Sequence, residues 1–462
     1  MTHRPLLLVP GLVLIASAAA TAVDAPGPGV IGTGTTVVEM GPGKIQGSGR
    51  SVFIQGLVDI DGIQQGNYSD GNDDVSDHRS EGWYRADLGM RISLDERVEV
   101  QVTLAGQGVM GNGRATSDGT IYTGGPTGPG NGAGVDGASD TNVVLDDAFI
   151  KLKDFLNYRE LSIDAGRMPV SLNLRKDHAA FLFDSHANYP TITSWDGLRA
   201  SYSLDTVNIT PYVYRRVDNS ELYGITLDWE PAKSGDNRLF FTLSANLERD
   251  IEVNGVLGDG DKLETYYVGG DADLGDFELF GEFAMQRGDQ NDTKKFNGIA
   301  FSGGIDWHLD RMVLGFQGDY LSGDSNSADD SNDAFVNNWE GVSDTYIVEN
   351  EKYGELSRLL SGNLQAYKGK FEIALDDKKR VRVKSIYAFY KTSETVTGAT
   401  ATGKDFGQEA DLHLQWDYTR NATITLLTGM FKPGDAYVAV SKSATPSDDL
   451  IYLFGANLLV KF

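Results

Sequence analysis

The sequence predicts an all-β transmembrane protein: an antiparallel β-barrel of about eighteen strands, with short turns at one end and long loops at the other. Three observations predict it: apolar and polar side chains alternate with a period of two along most of the chain, short and long connectors alternate, and the chain ends on such a strand. Counting back from Phe462 in twos gives Val460, Leu458, Ala456, Phe454 and Tyr452, whereas Lys461, Leu459, Asn457, Gly455 and Leu453 lie between them. One face is greasy and the other mixed, as in a strand that turns one side to acyl chains and the other to a wet lumen.

Composition fits this reading. The 462 residues carry a formal net charge of −26 at a mean hydropathy of −0.28, and only the amino-terminal stretch PLLLVPGLVLIASAAATA is long and apolar enough to span as a helix. That stretch follows His3 and Arg4, contains Pro10 and Gly11 and runs into Ala20-Thr21-Ala22, so residues 1–22 read as a signal peptide cleaved before Val23; an uncleaved anchor is the alternative. With no cysteine, an exported chain has no disulfide framework and must hold by hydrogen bonding and packing. The acidic balance disfavours nucleic acid as a partner, because phosphates need clustered Lys and Arg. The sequons at Asn67, Asn208, Asn291 and Asn421 matter only in a eukaryotic secretory route.

Residues 23–50 are rich in Gly and Pro without sustained period and read as a periplasmic lead-in. The barrel is expected over 51–462. In SVFIQGLVDID the outward set is Val52, Ile54, Gly56, Val58 and Ile60. In WYRADLGMRISL it is Tyr84, Ala86, Leu88, Met90, Ile92 and Leu94, and the other face carries Arg85, Asp87 and Arg91, intolerable in a core but natural beside water. Short connectors fall near Asp95, Asn157, Asp205, Glu230, Gly275, Asp310, Asp376 and Arg420. Longer polar stretches lie around 61–82, 109–142, 168–194, 217–221, 249–262, 287–296, 322–357, 391–407 and 432–449. Eight turns and nine loops imply about eighteen strands, with both termini on the periplasmic side.

Trp229, Trp307 and Trp416 fall on outward parity close to short turns, where indole is favoured at the boundary of acyl chains and water. A soluble β-sandwich rich in aromatics is the alternative, but sandwiches do not repeat long-loop, short-turn alternation over so many hairpins. A barrel has no edge, so its last strand pairs with its first. The terminal aromatic resembles the carboxy-terminal signal that barrel-assembly machinery reads, which implies that machinery as a partner through Phe462, beside outer-membrane lipid and lipopolysaccharide.

Two stretches suggest a family. GQEADLHLQWDYTRNATITLLTGMFKPGDAY (Gly407–Tyr437) resembles the penultimate hairpin of alginate-export-type outer-membrane barrels, and GDYLSGDSNSADDSNDAF (Gly318–Phe335) resembles the same family's strand entering a Gly-Asp, Asn-rich loop. LSIDAGRMPVSLNLR is similar to its Gly-Arg segment, with Arg167 and Arg175 matching the two arginines, although Met168-Pro169 replaces the polar residue after Gly166-Arg167. The resemblance implies an eighteen-stranded, porin-like channel of the Gram-negative outer membrane that passes an anionic polysaccharide through a basic lumen, with a periplasmic export scaffold as a further partner.

Parity places Arg85, Arg91, Arg97, Lys151, Arg199, Arg216, Arg238, Lys368, Lys370, Arg382, Lys384 and Lys461 inward. Of these, Arg85, Arg91, Arg199, Arg216, Lys368, Lys370, Arg382 and Lys384 are the expected substrate-binding residues of the lumen, since guanidinium pairs with carboxylate bidentately and ammonium gives a movable point charge. Inward acids, Asp59, Asp87, Glu99, Asp147, Asp228, Asp271, Glu278, Glu282, Asp306, Glu409 and Asp411, stand against this and could simply neutralise neighbours across strands. Acidic loops, with Asp70, Asp73, Asp74 and Asp77 in the first and Asp324, Asp329, Asp330, Asp333 and Glu340 in the seventh, read as solvated, with divalent-cation binding as the alternative.

Enzyme signals are weak. GATATGKD (Gly398–Asp405) misses the phosphate-binding loop, because Asp405 stands where a hydroxyl should hold magnesium and a strand follows. His178 and His186, with Asp177 and Asp184, fall in the third long loop without a spacing that fixes metal or acid–base geometry. No catalytic residue, metal site or cofactor is assigned. The expected function is passive export of a polysaccharide, most simply an acidic, alginate-like one, with one long loop, the third being the first choice, folded inward as a constriction. The alternatives are a diffusion porin for small solutes and a barrel enzyme or receptor. Intact-mass measurement of protein recovered from outer membranes should give a chain beginning at Val23.

Overall fold

The computed structural model describes residues 50–67, 79–110, 142–170, 181, 194–215, 220–231, 237–249, 261–326, 328–336, 344–350, 356–360, 362–441 and 447–462, together with short strands at 30–33, 36–39, 43–47, 252–253 and 256–257. The signal-peptide reading lies outside these residues.

Eighteen strands run up and down around one closed sheet. They are β1 (Arg50–Gly66), β2 (Arg79–Ser93), β3 (Val98–Met110), β4 (Asn142–Leu152), β5 (Leu161–Met168), β6 (Trp195–Ser203), β7 (Val207–Arg215), β8 (Glu221–Trp229) and β9 (Arg238–Arg249). The second half comprises β10 (Lys262–Leu274), β11 (Phe277–Asp289), β12 (Ile299–Leu309), β13 (Met312–Leu321), β14 (Leu364–Ala374), β15 (Val381–Thr397), β16 (Thr402–Thr419), β17 (Ala422–Pro433) and β18 (Ile451–Lys461). Each pairs antiparallel with the next, and β18 pairs with β1 from Tyr452 opposite Gly66 to Lys461 opposite Leu57. Lipid offers backbone groups no hydrogen-bond partner, so this seam is what makes the sheet viable in a membrane.

The seam is shaped by glycine. A β-carbon on Gly56 would stand 2.5 Å from the Phe462 ring, and one on Gly66 would run into the Tyr452 ring. The Gly56 N–H donates to the Phe462 carbonyl at 2.8 Å and the Phe462 N–H to the Gly56 carbonyl at 3.0 Å. Beyond this point β18 has ended, and the short strand Gly43–Gly47 continues the pairing along residues 50–54 of β1. Part of the lead-in thus covers an edge left by the unequal lengths of the first and last strands.

Outward side chains form the belt that the alternation predicts. Leu88, Leu243, Phe316, Tyr387 and Phe454 are exposed, and Phe301 is 50 % exposed, a surface that only hydrocarbon suits. At the short-turn end Trp229 stacks on Phe241 at 5.4 Å, Trp307 on Phe277 at 5.8 Å, and Trp416 meets Tyr418 edge-on at 5.1 Å. The three outward tryptophans therefore sit in an aromatic girdle. Trp83 and Trp195 take the opposite parity and are buried inside the barrel near the long loops.

Sequence and structure differ in two local respects. The eighth loop, expected over 391–407, is only the turn 398–401, because β15 and β16 extend past the rim with register shifts around Lys391. One shift leaves Phe406 as an extra residue before Gly407, which takes a φ of 143°, and Phe406 is fully buried against Phe431. The second is a bulge between Thr103 and Leu104 opposite Asp146, which is unpaired in the ladder. It buries both Asp146 and Asp147 on the inner side, whereas simple alternation places only one of them there.

Replacing Phe301 by Arg places a charge in the acyl region and should lower folding stability in lipid vesicles by about 2–4 kcal/mol, measurable as a shifted guanidinium midpoint in tryptophan fluorescence.

Candidate functional site

The lumen is not uniform along its length. On β15 the inward Arg382 and Lys384 near the short turn are half-buried, whereas Ile386, Ala388 and Tyr390 are buried. On β18 Asn457 and Leu459 are half-buried, whereas Ile451 and Leu453 are buried. What fills the long-loop end is an apolar cluster drawn from the wall, including Trp83, Met168, Tyr214, Tyr390 and Phe431, and from three loops. The third loop contributes Phe181, edge-on to Phe335 of the seventh at 5.5 Å. The ninth contributes the short helix α1 (Asp435–Val440), whose Tyr437 packs edge-on against Phe406 and Phe431, each at 5.8 Å.

Among the described loop residues, the seventh loop carries the largest polar contribution. Its segment 344–349 lies against the inner faces of β14, β15 and β16, with Thr345, Ile347 and Val348 essentially inaccessible. On one side the Lys368 ammonium contacts Asp319 at 2.8 Å, Asp344 at 2.9 Å and Glu349 at 3.0 Å. Lys370 reaches Asp344 at 3.0 Å and donates to Gln317 at 2.8 Å. On the other side wall carboxylates accept loop N–H groups: Glu409 from Ile347 at 2.6 Å and Val348 at 3.0 Å, and Asp411 from Tyr346 at 3.0 Å. The Tyr346 hydroxyl meets His413 Nδ1 at 2.5 Å, and the Thr345 hydroxyl meets that of Tyr390 at 2.8 Å. Glu349 also accepts the Asp344 N–H at 3.0 Å, closing the segment into a compact turn. Ion pairs taken out of water hold only when their remaining hydrogen-bonding capacity is met, and here the wall and the loop meet it together.

The inward-oriented residues anticipated from sequence thus acquire partners. Arg85 pairs with Asp87 at 2.8 Å and Asp146 at 3.1 Å, Arg199 with Asp164 at 2.7 Å, and Arg382 with Asp417 at 3.2 Å. Arg91 lies over the Phe53 ring at 4.8 Å, and Lys384 is half-buried one turn of pleat from Lys370. Lys368 is buried rather than lining an open passage. Arg216 and Arg175 lie outside the described residues. Arg167 has outward parity and forms an exposed pair with Asp196 at 2.9 Å. Arg97, assigned inward by parity, sits in a turn and donates to Asn157 at 2.9 Å. Across β8–β11 the inner face is acidic and hydroxylic, with Asp228, Glu248, Asp271 and Glu282 buried and Thr242 donating to Asp228 at 2.8 Å.

The third loop, expected to fold inward as the constriction, lies mostly outside the described residues, although its Phe181 is buried in the cluster; among the described loop residues, an inward polar anchor is seen for the seventh loop. Its apolar run Tyr346-Ile347-Val348 between Asp344 and Glu349 was a signal in the sequence, but nothing local indicated which wall residues would receive it. In its outer part Asp324 pairs with Lys294 at 3.0 Å, and Asp333 accepts from Ser331 at 2.6 Å and Asn297 at 2.8 Å. Those two donors hold the Asp333 carboxyl below the usual carboxylate range. Among the described residues no group of three or more His, Cys, Asp or Glu is placed to hold a metal. The readings made for Asp70, Asp73, Asp74, Asp77, Glu340, His178 and His186 fall outside the described residues.

A family model described as alginate export matches residues 134–447. The chain belongs to the alginate-export family. This family member matches no curated protein sequence. Among solved structures it is similar to OccAB4 of Acinetobacter baumannii (12% identity over 90% of this chain and 99% of that one, TM-score 0.56). It is also similar to OccK8 (OprE) of Pseudomonas aeruginosa (11%, 89% and 97%, TM-score 0.55) and to OpdK of the same organism, solved with vanillate (9%, 88% and 98%, TM-score 0.55). At these identities the likeness is one of fold. This family member is a channel of the bacterial outer membrane, not an enzyme.

Removing the Lys368 ammonium leaves Asp319, Asp344 and Glu349 facing one another in a buried site. Lys368→Met should cost about 3–5 kcal/mol in vesicle unfolding and release the seventh loop to protease while the strands stay protected.

Proposed function

We propose that this alginate-export family member passes an acidic saccharide chain outward through its lumen, guided by Lys368, Lys370, Arg382 and Lys384. The observation that carries this reading is the cationic row on β14 and β15, whose lysines already hold carboxylates, those of Asp344 and Glu349, in hydrogen-bonding geometry. A uronate carboxylate offers the same two oxygens. Guidance needs contacts that are individually weak once the chain moves, and half-buried Arg382 and Lys384 provide them nearer water than Lys368 does. Arg85 and Arg91 on β2, Arg199 on β6 half a barrel away from β15, and Arg216, expected just beyond β7, belong to this proposal as further inward cations.

A second reading is a diffusion channel for small solutes. The acidic, hydroxyl-lined face of β8–β11 favours it, since that face would repel a polyanion and attract cations. The Occ-type neighbours support it by fold.

Planar-bilayer reversal potentials separate the two. Acidic-saccharide passage predicts a chloride-to-potassium permeability ratio above one that falls when Lys370, Arg382 and Lys384 are replaced by Gln. Cation preference in the parent, unmoved by those replacements, would favour the second reading and overturn the first.

A further inference from the structure

We propose that Asp344 and Glu349 are an internal ligand: they fill the ammonium site that a carboxylate-bearing saccharide would take, and such a chain arriving from the periplasm displaces them and frees the seventh loop. The inference rests on the acidic-saccharide reading and adds to it a mechanism of opening.

The cations form a graded approach to the occupied site. Rising from the short turn, side-chain exposure falls from 36 % at Arg382 through 13 % at Lys370 to 3 % at Lys368. An anion entering from that end meets Arg382 and Lys384 first, then Lys370, and reaches Lys368 only by taking the place of the loop carboxylates. Exchange of one carboxylate for another keeps each ammonium partnered, so the lysine side of the site loses little by the change. A neutral sugar would leave Lys368 with Asp319 alone among its three present partners and expel Asp344 and Glu349 for nothing in return. Only a ligand with differential affinity for the opened form can shift the balance, and the charge of the ligand supplies that difference.

The opposite side of the segment resets it. Glu409 and Asp411 now accept the N–H groups of Tyr346, Ile347 and Val348. When the loop leaves, these carboxylates lose their donors and face the passing polyanion with like charge. Both effects favour return of the loop once the chain has gone. The apolar residues Ile347 and Val348, buried with Phe335 and Tyr390, add a seal that water-filled passage must open.

The test uses the full-length protein in planar bilayers, with hexagalacturonate or maltohexaose added on the short-turn side. The uronate should raise open probability at least about tenfold, and the neutral hexamer should not. Asp344→Asn with Glu349→Gln should be open without ligand and gain nothing from uronate, whereas Asp333→Asn, in the outer part of the same loop, should behave as the parent. Equal opening by both hexamers, or a double variant as closed as the parent, overturns the proposal. If the double variant loses its heat-modifiable folded band, the parent's response to the two hexamers decides alone. Uronate that interrupts current in an open double variant but never opens the parent overturns the internal-ligand proposal and leaves acidic-saccharide passage standing; uronate that does not interact with the open variant overturns both.

Discussion

The structure depends on one constraint, that every backbone donor and acceptor within hydrocarbon must find its partner inside the protein. A sheet meets it only by closing, and here closure falls on the pairing of β18 with β1, where glycines at 56 and 66 make room for the rings of Phe462 and Tyr452. Closure then fixes everything else. The pleat sends alternate side chains to lipid and to lumen, and the up-and-down strand order puts the long loops at one end, with the even strand count bringing the first and last strands' outer ends to the other.

The lumen shows how an acidic protein uses that enclosure. Inward cations and carboxylates are largely spent on each other, which keeps the polar wall from opposing closure. At the long-loop end the barrel is filled with side chains from its own wall and from the third, seventh and ninth loops. The seventh is held from two directions by opposite chemistry: lysines on β14 take its acids, and acids on β16 take its N–H groups. Both halves of that arrangement come from this chain's own residues.

The barrel was legible in the sequence because period-two alternation and connector length are local signals, and Trp229, Trp307 and Trp416 marked the interface for the same reason. Strand ends were less so: β15 and β16 overrun the rim through bulges that alternation does not announce. The inward cations were legible by parity, but their partners were not. Lys368 and Asp344 are brought together by a loop whose path depends on contacts with three strands, and Asp146 faces inward only because a bulge adds a residue. Parity has no hold on Arg97, because a turn residue no longer obeys the pleat. Nothing local in the sequence singled out the seating of the seventh loop, which depends on the pairing capacity of the wall beneath it.

Because the natural chain contains no cysteine, single cysteines along β15 read the account directly. Replacements at Arg382 and Lys384 should react with a charged thiol reagent supplied from the short-turn side, those at Ala388 and Tyr390 should be protected beneath the seated loop, and those at Val383, Ser385 and Tyr387 should label only with a lipid-soluble reagent. Equal reaction of neighbours of both parities with the charged reagent would contradict the closed, alternating wall, and reaction at Ala388 as fast as at Lys384 would contradict its loop-sealed interior.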